Sequence, residues 1–224
     1  MTKPDSLIQV GCDRLVECIR DMSARYIAKT GKAPRTLILV GGSALAMHGI
    51  RETSDDVDLY SPDPVIVKIA RDVEASSGFP VDVTMKKNLW GDLNICDIEE
   101  DALVMKQIEV GGHTVDIAAL SVETLFIVKA NTFREKDRDD LPGILGKTSI
   151  ERVLERISHL WEKEPAHEIE IAVSNTISEL QLAAGRTITR DDFIRVDEEI
   201  VSEWRETVFQ DFPWLAPAAM SMRA

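Results

Sequence analysis

Leu37-Ile38-Leu39-Val40 is an unbroken apolar run that meets Gly41-Gly42-Ser43 directly, and Ala44 to His48 then resume helical character. A short continuous apolar run stopped by glycine reads as a strand buried on both faces, inside a sheet that other elements must cover. Thr36–Val40 is therefore expected to be a central strand that bends through two glycines into a short helix. Such a bend presents free backbone N–H groups at the helix start, which favours anions such as phosphate.

A second pattern follows within Arg51–Tyr60. Val57 and Leu59 alternate with Asp56, Asp58 and Tyr60, so a strand here places the two aspartates on one face and the aliphatic residues on the other. Asp55 falls in the preceding turn or on the aliphatic side and is left out of the pair. Met105–Val110 and His113–Leu120 flank Gly111-Gly112, a two-residue hairpin signal, and Asp116 projects from the polar side of the second strand. Residues 5–29 carry an apolar stripe at helical spacing, closed by Gly31 and Pro34. Residues 64–76 read as a helix and Val81–Met85 as a strand, while 88–100 has no clear pattern. Ser121 can cap a helix over 122–133. Within it Lys129 follows Phe126-Ile127-Val128, and a lysine on so apolar a helix either snorkels or reaches into a pocket toward an anion.

Two carboxylates pointing the same way can hold a hard divalent cation, and Mg²⁺ is commonly held by one or two carboxylates plus substrate phosphates. A third carboxylate on a neighbouring strand can complete a two-metal site or take a proton from an attacking hydroxyl. With a phosphate-holding glycine turn, these are the parts needed to transfer a nucleoside monophosphate with loss of pyrophosphate.

Gly41-Gly42-Ser43, Asp56-Val57-Asp58 and Val115-Asp116-Ile117 resemble, in order, the signature of the polymerase-beta-type nucleotidyltransferase superfamily. Lys129, Arg134 and Lys136-Asp137-Arg138-Asp139-Asp140-Leu141 resemble the Lys…Arg…Arg/Lys-Asp-x-x-Asp motif of nucleotidyltransferase-like toxins from abortive-infection and toxin–antitoxin systems. The likeness spans residues 36–145. It implies an α/β (α+β) fold, with a small mixed-sheet core flanked by helices and a C-terminal helical domain. It implies Asp56, Asp58 and Asp116 as metal-binding and catalytic residues, Asp116 activating the acceptor hydroxyl. Gly41, Gly42, Ser43, Lys129 and Asp140 would be nucleotide-binding. Mg²⁺, or Mn²⁺, would be the cofactor and a nucleoside triphosphate (NTP) the donor. The acceptor would be transfer RNA (tRNA) or protein, with an antitoxin protein as a possible partner. The alternatives are an aminoglycoside- or lincosamide-type small-molecule enzyme and an inactive nucleotide- or partner-binding relative.

Composition narrows the classes further. In 224 residues, 44% hydrophobic and 29% charged usage is ordinary globular composition, which excludes wholesale disorder. No apolar run reaches the ~18 residues of a membrane span. The net charge of -13 excludes a broadly basic nucleic-acid surface, though not a local basic patch. Three cysteines without metal-ligand spacing and no secretory signal lead to the expectation of a reduced, cytoplasmic protein. The four histidines form no constellation, and there is no zinc spacing or dinucleotide fingerprint. The acidic excess is about twice as dense after residue 148. With Pro142, Gly143 and Gly146, this places a boundary between a core over 1–147 and a helical domain over 148–224. In the latter, residues 149–163 and about 166–182 read as helices. Thr189 with Asp192 suggests a capping box opening a third stripe of Phe193, Val196, Ile200, Trp204 and Val208. The apolar tail from Phe212 to Met222 is expected to dock on the protein itself or in a partner's groove.

Overall fold

The structure, a computed structural model, describes residues 10–89, 93–132, 134–163, 167–193 and 195–207. The chain is an α+β protein of two compact units. One comprises Met1–Lys87 with Asp97–Ser121, the other Asn88–Cys96 with Val122–Ala224.

The first unit opens with strand β1 (Val10–Gly11) and helix α1 (Cys12–Thr30), which ends at left-handed Gly31, whose N–H returns to the Ile27 carbonyl. Strand β2 (Ile38–Leu39), helix α2 (Gly41–Met47), strand β3 (Thr53–Ser54) and strand β4 (Val57–Tyr60) follow. Helix α3 (Pro64–Ser77) begins where Asp63 accepts the Val65 N–H (2.8 Å) and Pro64 fills the first turn. Tyr26 of α1 donates to the same Asp63 (2.6 Å). Strand β5 (Val81–Thr84), the short helix α4 (Ile98–Asp101), strand β6 (Leu103–Val110) and strand β7 (His113–Ala119) complete the unit. The β6–β7 hairpin turns through Gly111 and Gly112, both at positive φ, as a two-residue loop requires.

Five strands form one mixed sheet in the order β5-β4-β2-β7-β6, and β1 pairs with β3 in a separate two-stranded ladder. Strand β2 is central, antiparallel to β4 and parallel to β7, while β4 and β5 are parallel. Leu37, Leu39, Val57, Leu59, Val81, Val115 and Ile117 are buried and share one face by the alternation of the pleat. Helices α1 and α3 pack against this unit's strands and each other. Asp58, Asp82 and Asp116 lie on the opposite face.

The second unit is helical: α5 (Val122–Ala130), α6 (Glu135–Arg138), α7 (Leu141–Leu145), α8 (Ile150–Lys163), α9 (His167–Ala184) and α10 (Glu198–Thr207). Residues Thr124 to Ala130 are all buried, so α5 is a central helix and packs on α7, α8 and α9. The compact helical unit takes in α5 from Val122, while the sequence leads to the expectation of a helical domain over 148–224. Thr189 and Asp192 do pair, the Thr189 N–H donating to Asp192 Oδ2 (2.7 Å). They close only a 3₁₀ turn over Arg190–Phe193. A fresh start follows, with Asp197 accepting the Glu199 N–H (2.7 Å) ahead of α10, so the expected third stripe is two elements. Val208 and the 212–222 tail lie outside the described residues. Among those residues no helix is long and apolar enough to cross a membrane.

Candidate active site

The glycine turn and the acid strand meet at one end of the sheet. Val40 donates its N–H to the Asp58 carbonyl (3.0 Å). In a continued antiparallel ladder the return bond would run from Asp58 N–H to the Val40 carbonyl. That carbonyl instead accepts from Ala44 N–H (3.0 Å) and starts α2. Asp58 N–H donates to Ser43 Oγ (3.0 Å), and the same hydroxyl donates to the Asp56 carbonyl (3.0 Å). Ser54 Oγ donates to the Asp56 carboxylate (3.3 Å). Gly41 takes positive φ (+53°) where the strand turns into the helix. A Cβ on Gly42 would stand 2.5 Å from Ser54 Oγ and 3.9 Å from Arg51 Nη1, so the Arg51 guanidinium lies over the turn. Gly41, Gly42, Ser43, Asp56 and Asp58 are thus brought together.

Asp116 is not brought to them. The strand registers set Val40 opposite Asp58 and level with Leu120, four residues beyond Asp116 on β7. Four residues along a strand are roughly 13 Å, and β7 is two strands away from β4. Asp116 is exposed and accepts from Gln107 Nε2 (2.8 Å) across the hairpin.

The acid beside the pair is Asp82. Its Cα pairs with that of Asp58 in the parallel β4–β5 ladder, so the two side chains leave the same face from strands roughly 4.8 Å apart. Asp82 is exposed on the edge strand, and Asp56 and Asp58 are half-buried. The sequence held a signal for it. A strand, a helix and a second strand of matching length form a right-handed crossover that lays the strands parallel, and Val81-Asp82-Val83 repeats the alternation of Val57-Asp58-Leu59. Carboxylate oxygens are the donors that Mg²⁺ and Mn²⁺ accept, so the chemistry of this set fits such an ion. Among the described residues no group of three or more His, Cys, Asp and Glu side chains is placed to hold a metal ion. Tyr60, next on this face, has its phenol pushed up by burial and by Glu99, to which it donates (3.3 Å). His48 sits with Nε2 2.7 Å from the Leu120 carbonyl.

Lys129 and Asp140 meet each other in the second unit. The buried Lys129 ammonium is 2.5 Å from Asp137 and 2.8 Å from Asp140. Asp137 also accepts from Thr132 (2.8 Å) and Arg134 (2.5 Å). Burial alone would raise the Asp137 carboxyl. The hydrogen bonds from Lys129, Thr132 and Arg134, with the Lys129 charge, hold it below its ordinary value. The anion that Lys129 reaches is therefore internal.

Residues 13–179 match the family described as Nucleotidyltransferase of unknown function (DUF6036), from the first turn of α1 into α9. No curated protein and no solved structure matches the chain. The family match covers well over half of the sequence and includes the whole acid-bearing sheet, and the chain belongs to this family of nucleotidyltransferases.

Proposed function

We propose that the protein is a Mg²⁺-dependent enzyme that moves a nucleoside monophosphate from an NTP to an acceptor hydroxyl, with Asp56, Asp58 and Asp82 as its carboxylate set. The observation that carries this is the Asp58–Asp82 register beside Asp56, at the end of the sheet where the glycine turn lies. Carboxylates gathered on one face supply the oxygen donors that a hard divalent cation takes. When bound, Mg²⁺ or Mn²⁺ would supply charge neutralisation and Lewis acidity at the phosphates. Asp56, Asp58 and Asp82 would hold it. Arg51, over Gly42, brings a fixed positive charge to the turn, and the first N–H groups of α2 have no intrahelical acceptor. The acceptor oxygen attacks the α-phosphorus, the bond to the bridging oxygen breaks, and pyrophosphate leaves. The hydroxyl proton passes to a carboxylate, for which exposed Asp82 is best placed.

For the acceptor, we favour tRNA or protein, in the manner of the toxin-like enzymes, with an antitoxin as partner. Support comes from the likeness of the Lys129…Asp140 segment in sequence. Its side chains close on one another and do not themselves select an acceptor.

Each radiolabelled NTP, offered with Mg²⁺ or Mn²⁺ to total tRNA, cell protein and an aminoglycoside panel, tests both levels. Label in tRNA or protein supports the toxin-like reading, and label in a drug replaces it with the small-molecule one. Label in no pool, or label that survives Asp56→Ala with Asp58→Ala, removes the proposal.

A further inference from the structure

Ser43 is fully buried (0% exposed), and its one hydroxyl spans the peptide groups on both sides of Val57. It does so at the point where β2 turns away and the ladder can no longer hold β4. Asp56 lies just before β4 and has no partner in that ladder, so the Ser43 hydroxyl replaces the bonds that a longer β2 would have made. Ser54, 2% exposed, adds the bond to the Asp56 carboxylate itself. Gly42 is not at positive φ, so backbone freedom does not demand glycine there. A Cβ there would stand 2.5 Å from the Ser54 hydroxyl, which would have to turn away from Asp56.

We propose that Ser43 is a positioning residue, which aligns Asp56 and Asp58 for the metal rather than holding the nucleotide, and that Gly42 is glycine to admit Ser54 to Asp56. The inference rests on the metal-dependent reading above. A serine that bound the triphosphate would act only when nucleotide is present. A serine that sets the acid pair acts on the metal alone.

The test is Mn²⁺ affinity of the full chain without nucleotide, read by the electron paramagnetic resonance of free Mn²⁺, with thermal melting measured alongside. Ser43→Ala should weaken Mn²⁺ binding roughly 10–100-fold, the range for residues that orient metal ligands. Ser54→Ala should weaken it in the same direction while melting normally, and it decides the matter if Ser43→Ala melts early. Gly42→Ala should also weaken binding. In Gly42→Ala with Ser54→Ala the new Cβ meets the residue 54 Cβ at 3.5 Å and Arg51 Nη1 at 3.9 Å, both ordinary contacts, so the double variant should bind no worse than Ser54→Ala. Unchanged Mn²⁺ affinity in Ser43→Ala with a raised KM for NTP overturns the positioning role and leaves the metal reading intact. So does a double variant as impaired as Gly42→Ala. A parent chain that takes up no Mn²⁺ overturns both.

Discussion

Asp58 and Asp82 stand opposite each other in the parallel β4–β5 pair, one half-buried and the other on the sheet edge. Like charges directly opposed across neighbouring strands are destabilising. A cation held between this pair and the third acid, Asp56, would remove that repulsion.

Asp82→Asn should therefore do two things of opposite sign. Without metal, the variant should be slightly more stable than the parent. With metal in ~100-fold excess over its Kd, the parent should gain about 2.7 kcal/mol and the variant much less. Nucleotidyl transfer should fall roughly 10²-fold, the scale of one lost preorganised electrostatic contact. Asp116→Asn, which neutralises a carboxylate bonded to Gln107, should transfer at close to the parent rate. Melting curves with and without Mg²⁺, followed by transfer assays, separate the two acids. A silent Asp82→Asn beside a dead Asp116→Asn would reverse their roles.

Lys129→Met tests the network in the helical unit. Its ammonium is 7% exposed and the facing Asp137 carboxylate 2%, so removing the cation strands buried negative charge. The loss should be about 3–5 kcal/mol in urea unfolding. Adding Asp137→Asn and Asp140→Asn should return part of it, because the uncompensated charges go too. A variant that unfolds like the parent would mean that the ion pairs contribute nothing.

The features legible in the sequence were those that local pattern determines. The apolar run into Gly41, the alternation from Val57 to Tyr60 and the Gly111-Gly112 hairpin appear where the residues imply, while Asp56, expected on the strand, lies just before it. What stayed hidden depends on which strands become neighbours. Asp116 and Asp82 carry the same alternating pattern, and only the strand order places Asp82 beside β4 and Asp116 two strands away. Lys129 is similar. Its apolar surroundings announced a buried cation, but its partners lie in the segment that follows α5, and folding back is not encoded in helical spacing. Charge density and turn residues mark loops, so they set the expected boundary at 147, whereas the compact helical unit takes in α5. The apolar character of α5 on every side was the better guide to where it belongs.

Acid should act on the helical unit through Asp137 and Asp192. Asp192 is held low chiefly by hydrogen bonds from Arg186, with burial opposing and the Thr189 N–H adding to the effect. Both carboxyls are lowered from the ordinary 3.8, so each binds its proton more weakly in the folded than in the unfolded chain. Their contribution is complete above that value and is lost as pH falls through the lower folded values. Unfolding free energy should be level from neutral pH down to about 5 and then decline. Asp137→Asn should start lower and decline less steeply. A parallel decline in parent and variant would assign the acid sensitivity elsewhere.

The thiols of α1 report on whether that helix is seated. Burial, with a smaller push from the Asp21 charge, raises the Cys18 thiol to about 12, so it carries almost no thiolate at pH 8 and is closed to reagents. Cys12, at the start of the same helix, is exposed. In a Cys96→Ser background, a thiol reagent at pH 8 should modify one cysteine per native chain, and peptide mapping should place the label on Cys12. The second equivalent should appear only in denaturant, at the rate at which the first unit opens. Equal labelling of both cysteines in the native chain would mean that the Leu15–Cys18–Ile19–Met22 stripe is not packed against α3, β6 and β7.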